Sequence, residues 1–308
     1  MQTNNAKRLI FTFLRGMVMG IAEVIPGVSG STMALIMGIY DKFIGFLAQI
    51  SDFVRELVKL ILMKTSFSDV KKKFFEIDLR FGVLLGFGMF FAFGLFSHVI
   101  SYFIEVYPVY IFAFFFGLVL ASLPIPAREM KERGVKELAI FLLTFSIIFY
   151  LLGVSPPTAV TDPSFLIMFL GGFFAISSML LPGISGSFIL LLMGLYGYVI
   201  EVVKDATKLQ ASTEDLLKVM TLGFGIIMGF LIVSKILKYL LKNYHSYLMA
   251  FLIGLMMASL RVLWPLNYAD EMIITHNTDI IAFVVGAIGF AIVLLLQKTS
   301  IKKDTKES

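Results

Sequence analysis

The chain contains no cysteine, few charged residues and only three histidines. The absence of cysteine excludes disulfide bonds and thiolate-ligated metal sites. His98, His245 and His276 lie far apart in the sequence and do not have the spacing of metal ligands. The sequence therefore predicts no metal and no cofactor, and we expect no nucleic-acid partner.

The shortage of charge comes with an excess of apolar residues. Charged residues make up 15% of the chain and hydrophobic residues 58%, and the mean hydropathy is +0.92. Soluble domains carry about 25% charged residues. Ten apolar segments are long enough, or nearly so, to cross a hydrocarbon core of about 30 Å. They cover residues 9–25, 31–50, 81–103, 108–123, 138–154, 165–181, 187–203, 219–241, 247–264 and 280–296. The predicted fold class is an all-α polytopic membrane protein.

The two halves of the chain share a repeated sequence. Pro26-Gly27-Val28-Ser29-Gly30-Ser31 recurs as Pro182-Gly183-Ile184-Ser185-Gly186-Ser187, and ten of nineteen positions are identical between 26–44 and 182–200. Residues 85–123 match 222–260 at sixteen of thirty-nine positions. We therefore predict two repeats, residues 1–155 and residues 156–308.

The distribution of Lys and Arg predicts that the repeats have opposite orientations. Basic residues cluster in the linker 51–80, in the loop 124–137, at the end of segment 219–241 and at the C-terminus. Loops rich in such residues face the cytoplasm, so both termini are predicted there. Segments 81–103 and 219–241 then cross in opposite directions. The loop 204–218 is the exception, because it must lie outside and yet carries three lysines beside four acidic residues.

With this orientation, the first two segments of each repeat, taken together, must begin and end on the same side of the membrane. Either both segments cross, giving ten spans, or they form a re-entrant hairpin, giving six spans and two hairpins. We favour hairpins over 9–50 and 165–203, because non-helical backbone is tolerated at membrane depth only where protein or a wet cavity surrounds it. Each repeat is then one re-entrant helical hairpin plus three transmembrane helices. The two tips would meet near the midplane.

The repeated turns have the composition of an anion site. Proline ends the preceding helix, glycine permits close approach of a ligand, and serine donates hydrogen bonds. The next helix begins at once, so its first N–H groups would point into the turn. The simpler alternative is that the small residues only allow close helix packing. The predicted substrate-binding residues are Pro26, Gly27, Ser29, Gly30, Ser31, Pro182, Gly183, Ser185, Gly186 and Ser187.

Three charged residues near these segments are further candidates. Glu23 and Arg15 lie in the first apolar segment, where an ionisable residue usually has a function. Glu23 could carry a coupling ion, a proton or sodium, or it could pair with Arg15. Arg15 could bind a phosphate as a planar fork or reach to the cytoplasmic interface. Arg261 could contact phosphate where substrate enters, or could be an ordinary interfacial anchor.

The doubled turns, each followed by Met-Gly-Ile/Leu-Tyr, resemble the polyprenyl-phosphate transporter family, formerly a domain of unknown function. Gly16-Met17-Val18-Met19-Gly20-Ile21-Ala22-Glu23 adds to this resemblance, which spans nearly the whole chain. It implies a flippase of the bacterial plasma membrane that returns undecaprenyl phosphate from the outer to the cytoplasmic leaflet, for lipid-carrier recycling in cell-wall (peptidoglycan) synthesis. The family's signature positions would be Glu23 and the serines, glycines and prolines of the two turns.

Two alternatives remain at this point. Undecaprenyl-diphosphate phosphatases are also built from inverted repeats and have a similar turn, Pro-Gly-x-Ser-Arg-Ser. Here the arginine position is Gly30 in one copy and Gly186 in the other, which disfavours hydrolysis. A transporter of a small soluble anion would use the same site but would need a closed aqueous path. The sequence does not predict the oligomeric state or the tail length of the lipid.

Overall fold

The computed structural model describes residues 2–23, 29–153, 160–208, 210, 212–267 and 278–307. Within these ranges all regular structure is helical, which confirms the predicted all-α class. The helices are α1 (Gln2–Glu23), α2 (Gly30–Ile36), α3 (Tyr40–Ile61), α4 (Phe67–Glu76), α5 (Leu79–Val106), α6 (Pro108–Ser122), α7 (Pro124–Glu129), α8 (Val135–Leu151), α9 (Phe165–Met179), α10 (Gly186–Leu192), α11 (Tyr196–Thr207), α12 (Thr213–Asn243), α13 (His245–Ser259) and α14 (Thr278–Glu307).

Several of these helices are apolar enough to cross a membrane. Leu79–Phe96, Pro108–Glu129 and Thr213–Asn243 have the required length and hydropathy. Phe165–Met179, His245–Ser259 and Asp279–Leu295 are apolar but shorter. The chain is therefore compatible with a multi-pass membrane protein.

Equivalent helices of the two halves make equivalent contacts. Tyr107 is the single residue between α5 and α6, with φ/ψ of −132°/47°. Tyr244 is the single residue between α12 and α13, with φ/ψ of −134°/40°. In the first half α1 packs along α5, and in the second half α9 packs along α12. The joint and the pairing of these helices are thus repeated.

The last helix of each half packs against the other half. α6 lies along α14, and α13 lies along α8. Both pairs are parallel. Val109 clusters with Ala282 while Gly117 approaches Gly286 further along, and contacts of α13 with α8 likewise advance in the same direction along both helices. Each half therefore contributes a helix that packs against a helix of the other half.

The predicted apolar segments 31–50 and 187–203 each contain a break between two helices. α2 ends at Ile36 and α10 at Leu192, and the next helix starts after a three-residue break. Gly38 and Gly194 have φ of 65° and 68° at these breaks, a backbone conformation that favours glycine. The chain bends by 110° between α10 and Tyr196–Val203.

The short helices favour re-entrant hairpins over ten full spans. α2 and α10 have seven residues each, which gives a length of about 10 Å. Neither can cross a core of about 30 Å. After the break, α3 carries Asp52, Arg55, Glu56 and Lys59, and it continues to Ile61 into the linker that the sequence assigns to the surface.

One lysine of the loop 204–218, Lys218, is paired with acidic side chains. The side chain of Lys218 is only 6% exposed, and its Nζ lies 2.5 Å from Asp162 Oδ1 and 2.8 Å from Glu214 Oε1. A buried ammonium requires such partners. The charge of Lys218 is therefore compensated within the protein.

Glycines allow the paired helices to approach closely. A Cβ at Gly16 or Gly20 would collide with backbone atoms of Leu85 or Met89 on α5, and a Cβ at Gly225 would collide with Phe169 on α9. These contacts fit the small-residue packing of membrane helices. Gly86 and Gly223, by contrast, face open space.

A Gly172→Ala substitution tests this packing. The added methyl group would collide with the Leu222 carbonyl on α12, so we expect α9 and α12 to separate and the free energy of unfolding to fall by about 1–3 kcal/mol. Thermal unfolding of the detergent-solubilised protein measures the loss. Gly223→Ala is the control, and it should be neutral or slightly stabilising. Equal effects of the two substitutions would contradict the assignment.

Candidate functional site

The two repeated turns lie against each other. Ser29 Oγ donates to the Met179 carbonyl oxygen at 3.4 Å. The Gly183 N–H donates to Thr32 Oγ1 at 2.9 Å, and the Tyr40 hydroxyl donates to the Leu180 carbonyl oxygen at 3.1 Å. Residues some 150 positions apart in the sequence thus form one junction.

In each copy the first serine of the turn caps the helix that follows. Ser29 Oγ accepts a hydrogen bond from the Ser31 N–H and Ser185 Oγ accepts one from the Phe188 N–H. The paired hydroxyls are 2.7 Å apart in Ser29/Ser31 and 3.3 Å apart in Ser185/Ser187. Both turns therefore concentrate hydroxyl groups at a helix N-terminus, where N–H groups lack intrahelical partners.

The first copy carries a carboxylate at this N-terminus. Glu23 Oε1 accepts a hydrogen bond of 2.8 Å from the Gly30 N–H. A Cβ at Gly30 would lie 2.8 Å from the same oxygen, so glycine is required for the contact. The equivalent of Glu23 in the second copy is Met179, so that turn has no carboxylate of its own. An anion from outside meets a competing charge in the first turn only.

Glycines in the second turn are required by its packing. Gly183 has φ of 101°, and a Cβ there would press on the backbone of Leu255 and Met256 in α13. A Cβ at Gly186 would lie 2.8 Å from the Ala175 carbonyl oxygen. Pro182 is buried beside them. Pro26 and Gly27, the corresponding candidates in the first turn, lie outside the described residues.

Arg15 lies on α1 away from the junction. Eight residues separate it from Glu23, which corresponds to about 12 Å along the helix. The two side chains do not form an ion pair in this structure, so the alternative in which Glu23 pairs with Arg15 is not observed. The Arg15 guanidinium is half-buried and has no hydrogen-bond or ion-pair partner among the described residues.

Arg261 is not part of the junction either. Its guanidinium stacks on Phe149 at 4.5 Å and donates to the Phe149 carbonyl oxygen at 3.0 Å. It lines a cavity of about 410 Å³ with Trp264, Asn267 and apolar side chains of α6, α8 and α13. This cavity contains no residue of either turn, so Arg261 belongs to a separate, aromatic-rich surface.

Sequence reasoning missed Thr32 and Tyr40. Both are almost fully buried; Thr32 accepts from the Gly183 N–H of the second turn, and Tyr40 donates to the Leu180 carbonyl oxygen at the end of α9. The signal for Tyr40 was present, because Met-Gly-Ile/Leu-Tyr is repeated at 193–196. Thr32 gave no such signal, since its counterpart is Phe188.

A family model and two curated relatives match this chain. The model, described as "VCA0040-like: Undecaprenyl phosphate translocase-like", covers residues 19–281. A "Polyprenyl-phosphate transporter" of Vibrio cholerae is 34% identical over 254 residues, which is 82% of this chain and 77% of that protein. One of the same description from Staphylococcus aureus is 28% identical over 285 residues, 89% of this chain and 92% of that protein. No solved structure matches the chain.

Thr32→Val tests the junction. Valine keeps the shape but leaves the buried Gly183 N–H without its acceptor, so we expect a loss of about 1–3 kcal/mol in the free energy of unfolding. The comparison is Thr221→Val on the exposed face of α12, which should change stability by less than about 0.5 kcal/mol. Chemical denaturation of both variants in one detergent gives the two values. A Thr32→Val variant as stable as the parent chain would mean that the turns do not depend on each other.

Proposed function

This chain belongs to the undecaprenyl phosphate translocase-like family, and we propose that it is a membrane transporter that moves a polyprenyl phosphate from one leaflet to the other. The family and both relatives are described as translocases or transporters, and not as enzymes. The observation that carries the proposal is the junction of the two hydroxyl-rich turns between apolar helices. The prenyl tail can stay in the lipid, so the protein only has to carry the phosphate through the hydrocarbon.

We propose that the two repeats have inverted topology. The connection between α6 and α8 is short, so the two helices run in opposite directions if both cross. Because α13 is parallel to α8, it then runs opposite to its own counterpart α6. This relation supports inverted repeats, in which substrate sites lie near the bilayer midplane at the repeat interface.

The second turn is the better phosphate site in the present arrangement. Ser187 is exposed and the buried Ser185 lies behind it, whereas both Ser29 and Ser31 are buried. Hydroxyl and amide donors of this kind bind phosphate well. Gly186, Pro182 and Gly183 shape the turn. We propose that Arg15 and Arg261 contact the phosphate before or after it reaches the turns. The Arg15 guanidinium has no partner among the residues that the structure describes, and Arg261 lines the aromatic cavity.

Glu23 is proposed to be the coupling residue. Its carboxylate accepts the hydrogen bond of the Gly30 N–H, a donor that a phosphate in the first turn would need. Two anions cannot share that donor at low dielectric without strong repulsion. Protonation of Glu23 would remove the competing charge, and a bound sodium ion would have the same effect. Either ion could thus couple its gradient to movement of the phosphate.

The direction follows from the family resemblance. We propose transport from the outer to the cytoplasmic leaflet of a bacterial plasma membrane, with both termini in the cytoplasm. Such transport returns undecaprenyl phosphate for another round of peptidoglycan precursor assembly. Surrounding membrane lipids are the other partners that this role requires.

Glu23→Gln tests the coupling. Glutamine can still accept from the Gly30 N–H but cannot exchange a proton, so transport of labelled undecaprenyl phosphate in proteoliposomes should be abolished or lose its pH dependence. Glu132→Gln, in an exposed loop, is the control and should transport normally. An unchanged rate and pH profile for Glu23→Gln would exclude Glu23 from the mechanism.

Competition separates a lipid substrate from a small soluble anion. Short-chain prenyl phosphates should inhibit transport of the labelled lipid, because they present both the phosphate and an apolar tail. Inorganic phosphate at the same concentration should inhibit at least tenfold less, a difference of about 1.4 kcal/mol. Equal inhibition by the two compounds would favour a transporter of a soluble anion.

A further inference from the structure

The two copies of the repeated motif are in different environments. All seven residues of α2 are buried, whereas Gly186 is the only buried residue of α10. The contrast is clear at two identical residues, since Leu35 is 2% exposed and its equivalent Leu191 is 41% exposed. One copy is therefore enclosed by the rest of the protein while the other is open to its surroundings.

The tyrosines that end the motif differ in the same way. Tyr40 is 2% exposed and donates its hydroxyl to the Leu180 carbonyl oxygen, at the end of α9. Its equivalent, Tyr196, is 42% exposed, and its hydroxyl makes no hydrogen bond to another described residue. Carbonyl groups at a helix C-terminus lack intrahelical partners, so a buried one needs a donor from outside the helix. Tyr40 supplies that donor to the opposite repeat.

We propose that Tyr40 and Tyr196 are alternating latches of the transport cycle. In the present state the hydrogen bond of Tyr40, the first residue of α3, holds the first copy against the end of α9, and α10 is open. In the opposite state the repeats exchange environments, Tyr196 donates to the first turn, and Tyr40 is released. The proposal rests on the proposed function, because only alternating access requires two related repeats to exchange roles.

Thr32 makes the two states unequal. It accepts the Gly183 N–H in the present state, but its counterpart Phe188 cannot form that bond after an exchange. The present state therefore has one hydrogen bond that the opposite state lacks. Loss of the Thr32 hydroxyl should then shift the population in the same direction as loss of the Tyr40 hydroxyl.

Two single-cysteine reporters can follow the exchange, because the chain has no cysteine of its own. Leu35→Cys reports on the enclosed copy and Leu191→Cys reports on the open copy. Each is introduced into the full chain in proteoliposomes, without substrate, and its rate of reaction with a maleimide is measured. In the otherwise unchanged chain the cysteine at 191 should react faster than the cysteine at 35.

Tyr40→Phe should reverse this preference in part. It removes the latch of the present state, so labelling at 35 should rise and labelling at 191 should fall, with the ratio of the two rates changing about fivefold. Thr32→Val should act in the same direction. Tyr196→Phe is the matched control, because it removes a bond that only the opposite state makes, and it should leave labelling at 35 as low as before or lower.

Opposite changes at the two reporters distinguish a latch from a structural contact. If Tyr40→Phe raised labelling at both positions, the tyrosine would only stabilise the fold, and the proposal would be wrong. No change at either position would also overturn it. The labelling does not depend on the lipid, so a reciprocal shift in a protein that fails to transport polyprenyl phosphate would contradict the proposed substrate but not the latch.

Discussion

The need to satisfy peptide groups where the chain leaves helical geometry among apolar helices dominates this structure. Each unpaired peptide group in a water-free environment destabilises the fold by several kcal/mol. Side chains of the first copy meet this requirement for the second, since Ser29 and Tyr40 donate to carbonyl oxygens at the end of α9 and Thr32 accepts from the Gly183 N–H of the turn. The broken helices are tolerable because the two halves of the chain complete each other.

Duplication explains how one chain builds this arrangement. The halves share a helix joint at Tyr107 and Tyr244, and each sends its last helix into the other half. Two similar turns are thereby placed in contact, but they do not become identical. Glu23 and Thr32 have no equivalents in the second copy, and these differences give the junction one charged side and one open, hydroxyl-lined side.

The repeated turns, the apolar segments and the meeting of the two turns could be predicted from the sequence, because repetition and hydropathy are properties of many residues together. The breaks at Gly38 and Gly194 were missed, since one glycine in an apolar run also fits an unbroken helix. The roles of Thr32 and Tyr40 depend on contacts across 140 or more positions, which one sequence does not reveal. The alternative of an Arg15–Glu23 pair is not observed, because eight residues along a helix separate the two groups by about 12 Å.

A density map of the protein with undecaprenyl phosphate in lipid nanodiscs tests the central claim most directly. The account predicts phosphate density at the junction of the turns, within hydrogen-bond distance of the hydroxyls of Ser185 and Ser187. Phosphate density confined to the aromatic cavity beside Arg261, with the junction closed and unliganded, would contradict it.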